Sequence, residues 1–205
     1  MRIVPINNLK ITRPPALGRP IVPLKGEINP VPHPPARVRP SRTLWLFGNG
    51  DMGQFGLGTA GLGEVSRPQI HGWFEQTRQT PALGLNEGAG IEKLAVGGMH
   101  NLAIDEIGKV GLQQKIIKQY SFLMQVWTWG INDNYALGRK TDKVVDPNNP
   151  GQYIPVEELE TTPVVLQDLA DQGFRAVDIA AGASHSIAIG HDGTLRAWGT
   201  FSVRG

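Results

Sequence analysis

A recurring block constrains this chain more than any other feature. Residues 44–58, LWLFGNGDMGQFGLG, align with 126–138, VWTWGINDNYALG, and a third copy opens at 195 with LRAWG. Each copy starts as an apolar run that ends in an aromatic followed by glycine: Phe47-Gly48, Trp129-Gly130 and Trp198-Gly199. A second block recurs as AVGGMHNLAI at 95–104 and AAGASHSIAI at 180–189, with His100 and His185 in register. Self-similarity of this kind means a fold built by stacking copies of one supersecondary unit.

The blocks are short, β-branched or aromatic, and bounded by glycine, so they read as strands. HSIAIG, then His191-Asp192-Gly193, then TLRAW reads as a hairpin with an Asp-Gly turn. Each repeat then offers about four strands. In the second repeat they fall near Pro163–Gln167, up to Gly182, over Ser186–Ile189 and over Leu195–Trp198. Four antiparallel strands repeated around an axis make a β-propeller blade, so the expected class is all-β. Composition agrees, because 26 glycines and 16 prolines in 205 residues leave little room for long helices.

The prolines are unevenly placed. Ten of the sixteen fall within residues 1–40, a density that excludes central strands and continuous helix there. Through Arg42 the segment holds eight Lys/Arg against Glu27 alone, a net of +7, so the remaining chain carries −5 of the overall +2. Residues 1–42 are therefore expected to be a disordered basic tail on an acidic folded part. Spaced arginines on an extended arm could meet DNA phosphate or an importin, or act only as a solvating linker. The chain has no cysteine, which removes disulfide scaffolds, cysteine nucleophiles and thiolate zinc sites. No stretch approaches about 18 apolar residues, so the expectation is a soluble intracellular protein without a membrane partner.

Spacing exposes an irregularity. Gly48 to Gly130 is 82 residues, whereas Gly130 to Gly199 is 69. The surplus lies in one hairpin, where residues 110–125, VGLQQKIIKQYSFLMQ, are 16 extra. Without them HNLAIDEIGKVWTWG matches HSIAIGHDGTLRAWG position for position, and the first spacing becomes 66. The segment begins with valine, a GTN codon, and ends with glutamine, which CAG can encode, so its ends can spell an in-frame splice donor and acceptor. The expected organisation is a tail (1–42), a first repeat (43–109), a retained-intron insertion (110–125), a second repeat (126–194) and the start of a third (195–205).

The motifs GNGDMGQFGLG, AVGGMH, NDNYALGR and AGASHSIAI with WGTF resemble the regulator of chromosome condensation family. Within it they look most like the nucleotide exchange factors for the small GTPase Ran, fungal members above all. The insertion at 140–162, ending ELETTP, looks fungal as well. The resemblance covers about 43–201 apart from the 16 extra residues. It implies a seven-bladed propeller, of which this chain holds about two blades as an N-terminal fragment. It further implies promotion of GDP release from Ran, nuclear localisation on chromatin, and nucleosome, histone or DNA partners. A monomer with neither cofactor nor metal is expected, and no covalent chemistry.

The positions that match the family's interaction face are Asp51 and His100. Family members often carry an acid where this chain has Ala183. The exchange-active wedge belongs to the third repeat, where the chain stops at WGTFSVRG, so this piece by itself is expected to be inactive. The repeated glycines read as turn residues. His100 and His185 also fit a blade histidine that hydrogen-bonds backbone, and Trp45, Trp127, Trp129 and Trp198 read as core. Asp51 shares its place with Asp133, where an acid can serve turn chemistry alone.

Other chemistries fit less well. Gly48 to Gly53 reads G-x-G-x-x-G after a strand, but GQFGLG is a poor helix start for a dinucleotide site. The histidines lack metal-ligand spacing with carboxylates, and no G-x-S-x-G occurs. The alternative from another class is a noncatalytic repeat scaffold for protein–protein contact.

Overall fold

The computed structural model describes residues 42–79, 90–105 and 124–201. The basic tail through residue 41, the 110–123 part of the extra segment and the last four residues lie outside the described residues. What is described is all-β in its framework, with three antiparallel sheets and short helices between them.

The first sheet pairs β1 (Trp45–Asn49) with β2 (Glu64–Ile70). After β2 comes α1 (Gly72–Gln79). The second sheet has four strands in the order β3 (Ile91–Val96), β4 (His100–Asp105), β5 (Val126–Gly130) and β6 (Val164–Val165). A short α2 (Val156–Glu160) lies in the long β5–β6 connection, and α3 (Gln167–Asp171) follows β6. The third sheet runs β7 (Ala176–Ala181), β8 (His185–Gly190) and β9 (Leu195–Gly199).

The second and third sheets are register copies. His100 pairs with Gly130 as His185 pairs with Gly199, and the inner strands bulge at matching places, between Ile91 and Lys93 and between Ala176 and Asp178. In both sheets the aromatic-glycine step has one cause. Gly130 (φ +99) and Gly199 (φ +90) follow the tryptophans, and a Cβ at either would overlap the carbonyl oxygen of Met99 or Ser184. The expected Asp-Gly turn forms: Gly193 sits at φ +80 and Asp192 Oδ1 accepts from the Thr194 amide at 3.0 Å.

Alternation along the strands builds two cores. Leu102, Ile104 and Val126 on one face of the second sheet meet Ala188 and Trp198 of the third, with Leu166, Leu169 and Phe174 closing one end. Ala103, Trp127 and Trp129 on the opposite face meet Phe74 of α1 and Leu44 beside β1. Trp73 and Phe74 stack edge-on against Trp127, with centroids at 5.5 and 6.2 Å. Helix α1 had no sequence signal of its own, since its apolar pair is flanked by polar residues.

Two expectations are corrected. The strand at Val164–Val165 does not open the blade of its own repeat; it pairs with Trp127 and Thr128 of the preceding sheet. Blade and sequence repeat are therefore offset by one strand. Trp45 is not core either, for it is 57% exposed and Phe47 is 67% exposed. They occupy the places of Trp127 and Trp129, but on the side of β1 where no described sheet packs. The first sheet is incomplete on its inner edge as well. Gly48 has open space where Gly130 and Gly199 meet backbone, and a cleft of about 240 Å³ separates Trp45 and Phe47 from Leu94 and Val96.

Candidate functional site

Strand direction sorts the connecting loops onto two ends. β1 and β5 run towards Asn49 and Gly130, and β4 starts at His100 opposite Gly130. The Asp51 loop, the Asp133 loop and the tight turns at 97–99 and 182–184 therefore gather at one end. Arg42 lies at the other, donating through Nη1 to the carbonyl and side chain of Glu92 beside the start of β3.

Asp51 is exposed at the first of these ends. Its carboxylate accepts from Asn49 Nδ2 at 2.8 Å and its amide donates to Asn49 Oδ1 at 3.0 Å, a reciprocal Asx arrangement that fixes the loop start. Asp133, also exposed, opens a short 3-10 turn through Tyr135. Asn132 holds that turn by accepting from the Leu137 amide at 2.9 Å and donating to the Arg139 carbonyl at 2.8 Å.

Each acidic loop is locked by the sheet that follows it. The Gln54 carbonyl accepts from Trp129 Nε1 and from Asn101 Nδ2, both at 2.8 Å. The Ala136 carbonyl accepts from Trp198 Nε1 at 2.8 Å and from Ser186 Oγ at 2.9 Å. Gly56 and Gly138 let each tryptophan in, since a Cβ at either would lie 2.8 to 2.9 Å from the indole. A buried carbonyl with two donors forms a firm joint between successive sheets.

His100 is brought to the same end as Asp51 but not to the surface. It is 2% exposed, and its Nε2 lies 2.8 Å from Ser186 Oγ. The expectation of a bond within one blade is corrected: the imidazole reaches from β4 to β8, to the Ser186 hydroxyl and the His185 backbone. Burial lowers its pKa, with the His185 backbone partly opposing. His185 differs again, half-buried and stacked on Phe201 at 4.5 Å between centroids. His100 therefore reaches that end only through the turn at 97–99 and through Ser186, whereas Asp51 lies at its surface. Among the described residues no group of three or more His, Asp or Glu could hold a metal ion.

The comparisons with known proteins decide the lineage of this arrangement. Residues 125–189 match the regulator of chromosome condensation (RCC1) repeat. The chain belongs to the regulator of chromosome condensation repeat family. It is 30% identical to protein pim1 of Schizosaccharomyces pombe over 174 residues, 85% of this chain and 26% of that protein. It is 33% identical to the guanine nucleotide exchange factor SRM1 of Saccharomyces cerevisiae, over 77% of this chain and 30% of that one. The crystal structure of Prp20p from Saccharomyces cerevisiae, described with its binding to Gsp1p and histones, superposes with TM-score 0.51 at 31% identity, covering 82% of this chain and 30% of that one. Yeast RCC1 (Prp20) bound to Kap60 gives 0.52 at 25% identity, over 96% and 37%. The chain thus spans between a quarter and a third of the length of these curated relatives.

Within this RCC1 framework the locking residues were the ones sequence reasoning missed. Ser186 and Asn101 look like ordinary strand polars, and Arg139 reads as a charged surface residue. Their one signal is position: Asn101 and Ser186 each follow the repeat histidine directly.

Proposed function

We propose that the protein carrying these repeats is a chromatin-associated guanine nucleotide exchange factor for Ran, acting from the nucleus without covalent chemistry. The observation that carries this reading is the exposed, internally fixed Asp51 loop, set beside the Asp133 loop at one end of the sheets and each locked by the next sheet. A rigid acidic face of this kind suits a protein that binds the nucleotide-free GTPase better than the loaded one, because that differential affinity drives GDP release. SRM1 is named as an exchange factor, and the Prp20p structure is described with binding to Gsp1p and histones. The tail joins at the opposite end, at Arg42, so a basic arm could hold nucleosomal DNA, histones or an importin without covering Asp51.

A nucleotide-release assay with fluorescent GDP on purified Ran tests this. The longer protein accelerates release, Asp51→Asn lowers that acceleration about tenfold, equivalent to about 1.4 kcal/mol, and the 205-residue chain alone, a monomer, does not accelerate it. No acceleration by the longer protein overturns the reading and leaves a noncatalytic scaffold.

Residues 110–125 are proposed to be dispensable to this architecture, as a retained intron would be. Ile104 pairs with Val126 and Ile189 with Leu195, separations of 22 and 6 in hairpins that otherwise share one register. Gln125 takes the place of Thr194, its carbonyl accepting from the Asp105 amide as Thr194 accepts from Gly190. Excision puts Lys109 at that place and restores the shorter hairpin. Met124 is the packed residue of the segment, 3% exposed in the core, with its carbonyl accepting from the Ala176 amide at 3.2 Å. A variant lacking 110–125 regains the ~1 to 2 kcal/mol that closing the longer loop costs and gives up the burial of Met124, about 2–5 kcal/mol, so its urea midpoint drops while the transition stays cooperative. Loss of the cooperative transition would show that the segment is required.

A further inference from the structure

The connection from Arg139 to Pro163 runs back along the Asp51 loop of the preceding repeat. Gly58 donates its amide to the Thr161 carbonyl at 2.9 Å. The Thr161 methyl lies against Gly53, where a Cβ would stand 2.8 Å from Cγ2, and Pro163 Cγ lies 3.0 Å from the place of a Cβ on Gly56. Thr161 is itself fixed, with its amide and hydroxyl both donating to the Glu157 carbonyl, at 2.9 and 2.7 Å.

One guanidinium ties the end of this connection to the middle of β5. Arg139 Nη2 donates to the Leu159 carbonyl at 2.7 Å and the Thr128 carbonyl at 3.4 Å, while Nε donates to Thr128 Oγ1 at 3.3 Å. Thr128 is fully buried in the middle of β5. Beside it Thr141 Oγ1 donates to Glu160 Oε1 at 2.8 Å. Burial brings the Arg139 pKa down to about 10, with Glu160 opposing, so the group stays cationic at neutral pH. A lysine at this place keeps the charge but lacks the planar fork that bonds two elements at once.

We infer that Arg139 is a positioning residue for the Asp51 loop, acting through Leu159–Thr161, which it clamps between β5 and that loop. The connection is then a brace from the second repeat onto the first. The mechanical half stands on these contacts alone; the effect on nucleotide release rests on the exchange reading above.

Two measurements test the halves separately. Hydrogen exchange of the chain reads the Gly58 amide, which the Thr161 carbonyl protects. Arg139→Lys raises its exchange rate about tenfold while amides of β8 stay unchanged, as for local opening. Thr141→Val, which removes the Glu160 contact and the bond accepted from Asn132 Nδ2 at 3.0 Å but leaves the Arg139 fork in place, moves Gly58 in the same direction by less. Unchanged Gly58 exchange, or a rise shared by β8, overturns the brace. In nucleotide release by the longer protein, Arg139→Lys lowers kcat/KM, and in an Asp51→Asn background adds little further, the non-additivity expected of coupled residues. Additive effects overturn action through Asp51. Local Gly58 opening with a wild-type protein that releases no nucleotide supports the brace and refutes only the exchange reading.

Discussion

Trp129→Ala lowers the unfolding free energy by about 3–5 kcal/mol, the range for deleting a buried aromatic. Trp129 is 2% exposed, meets Phe74 with ring centroids at 5.6 Å, and donates from Nε1 to the Gln54 carbonyl across the joint between the first and second sheets. Alanine removes the ring and leaves a void that Gly56, without a side chain, cannot fill. Trp129→Phe separates the two contributions. It keeps most of the apolar burial, and the Gln54 carbonyl retains Asn101 as donor, so the loss is about 1 kcal/mol. Trp198→Phe behaves alike, with Ser186 left on the Ala136 carbonyl. Trp45→Ala in the same chain changes little, because that ring is more than half exposed. Urea midpoints at constant m-value read all four. Equal losses for Trp129→Ala and Trp129→Phe would put the hydrogen bond, not the burial, in charge of the joint.

The contrast between Trp45 and Trp129 marks how far the sequence could be read. A propeller reuses one contact at every joint, so the glycine that admits a tryptophan and the histidine at the strand start recur at a fixed period and show without any structure. Pairing partners carry no such mark. β6 is two residues long and bonds to a strand 36 positions earlier, Thr128 against Val164, so nothing local says which sheet it enters. Burial of Trp45 depends on a neighbouring sheet and not on its own motif, which is why the same repeat position gave core at Trp127 and surface at Trp45. Asp51 was legible because an acid in a glycine-rich loop is exposed almost wherever it folds. His100 was legible as a repeat position but not as a link between blades, since its partner Ser186 lies 86 residues away. Arg139 was hidden for the opposite reason: charged residues are seldom buried, and only the fold reveals that two carbonyls and a hydroxyl converge on it.

Stability against pH tests the least expected buried group. Asp105 is fully buried where β4 leaves the second sheet, accepting from the Gln125 amide at 2.7 Å and from Trp127 Nε1 at 3.4 Å. Burial pushes its pKa up to about 8, with those bonds opposing. Between its ordinary value near 4 and about 8 the folded state holds a proton that the unfolded chain has lost. Stability from this group is therefore full at low pH and declines by about 1.4 kcal/mol per pH unit across that range. His71 acts with the other sign. Buried against Phe74 and Trp129, its pKa falls to about 4, so its contribution is full above its ordinary value of 6.5 and is lost as pH falls from there to about 4. His100, shifted the same way, adds to it. The exposed Asp146 and Asp192, held low by their own turns, act only below their ordinary value of 3.8. Asp105 and His71 thus oppose one another between about pH 4 and 6.5, with His100 tipping the balance towards a rise, and only Asp105 acts between 6.5 and 8. Urea midpoints of the wild type are expected to rise slightly up to pH 6.5 and to fall above it. Asp105→Asn, which keeps an acceptor for the Gln125 amide without a charge and gives up the longer bond from Trp127 Nε1, abolishes the fall above pH 6.5. It also uncovers a rise between 4 and 6.5 due to the histidines. A variant that retains the wild-type decline at alkaline pH would show that Asp105 is ionised in the folded protein at little cost. The hairpin base would then have to reach solvent.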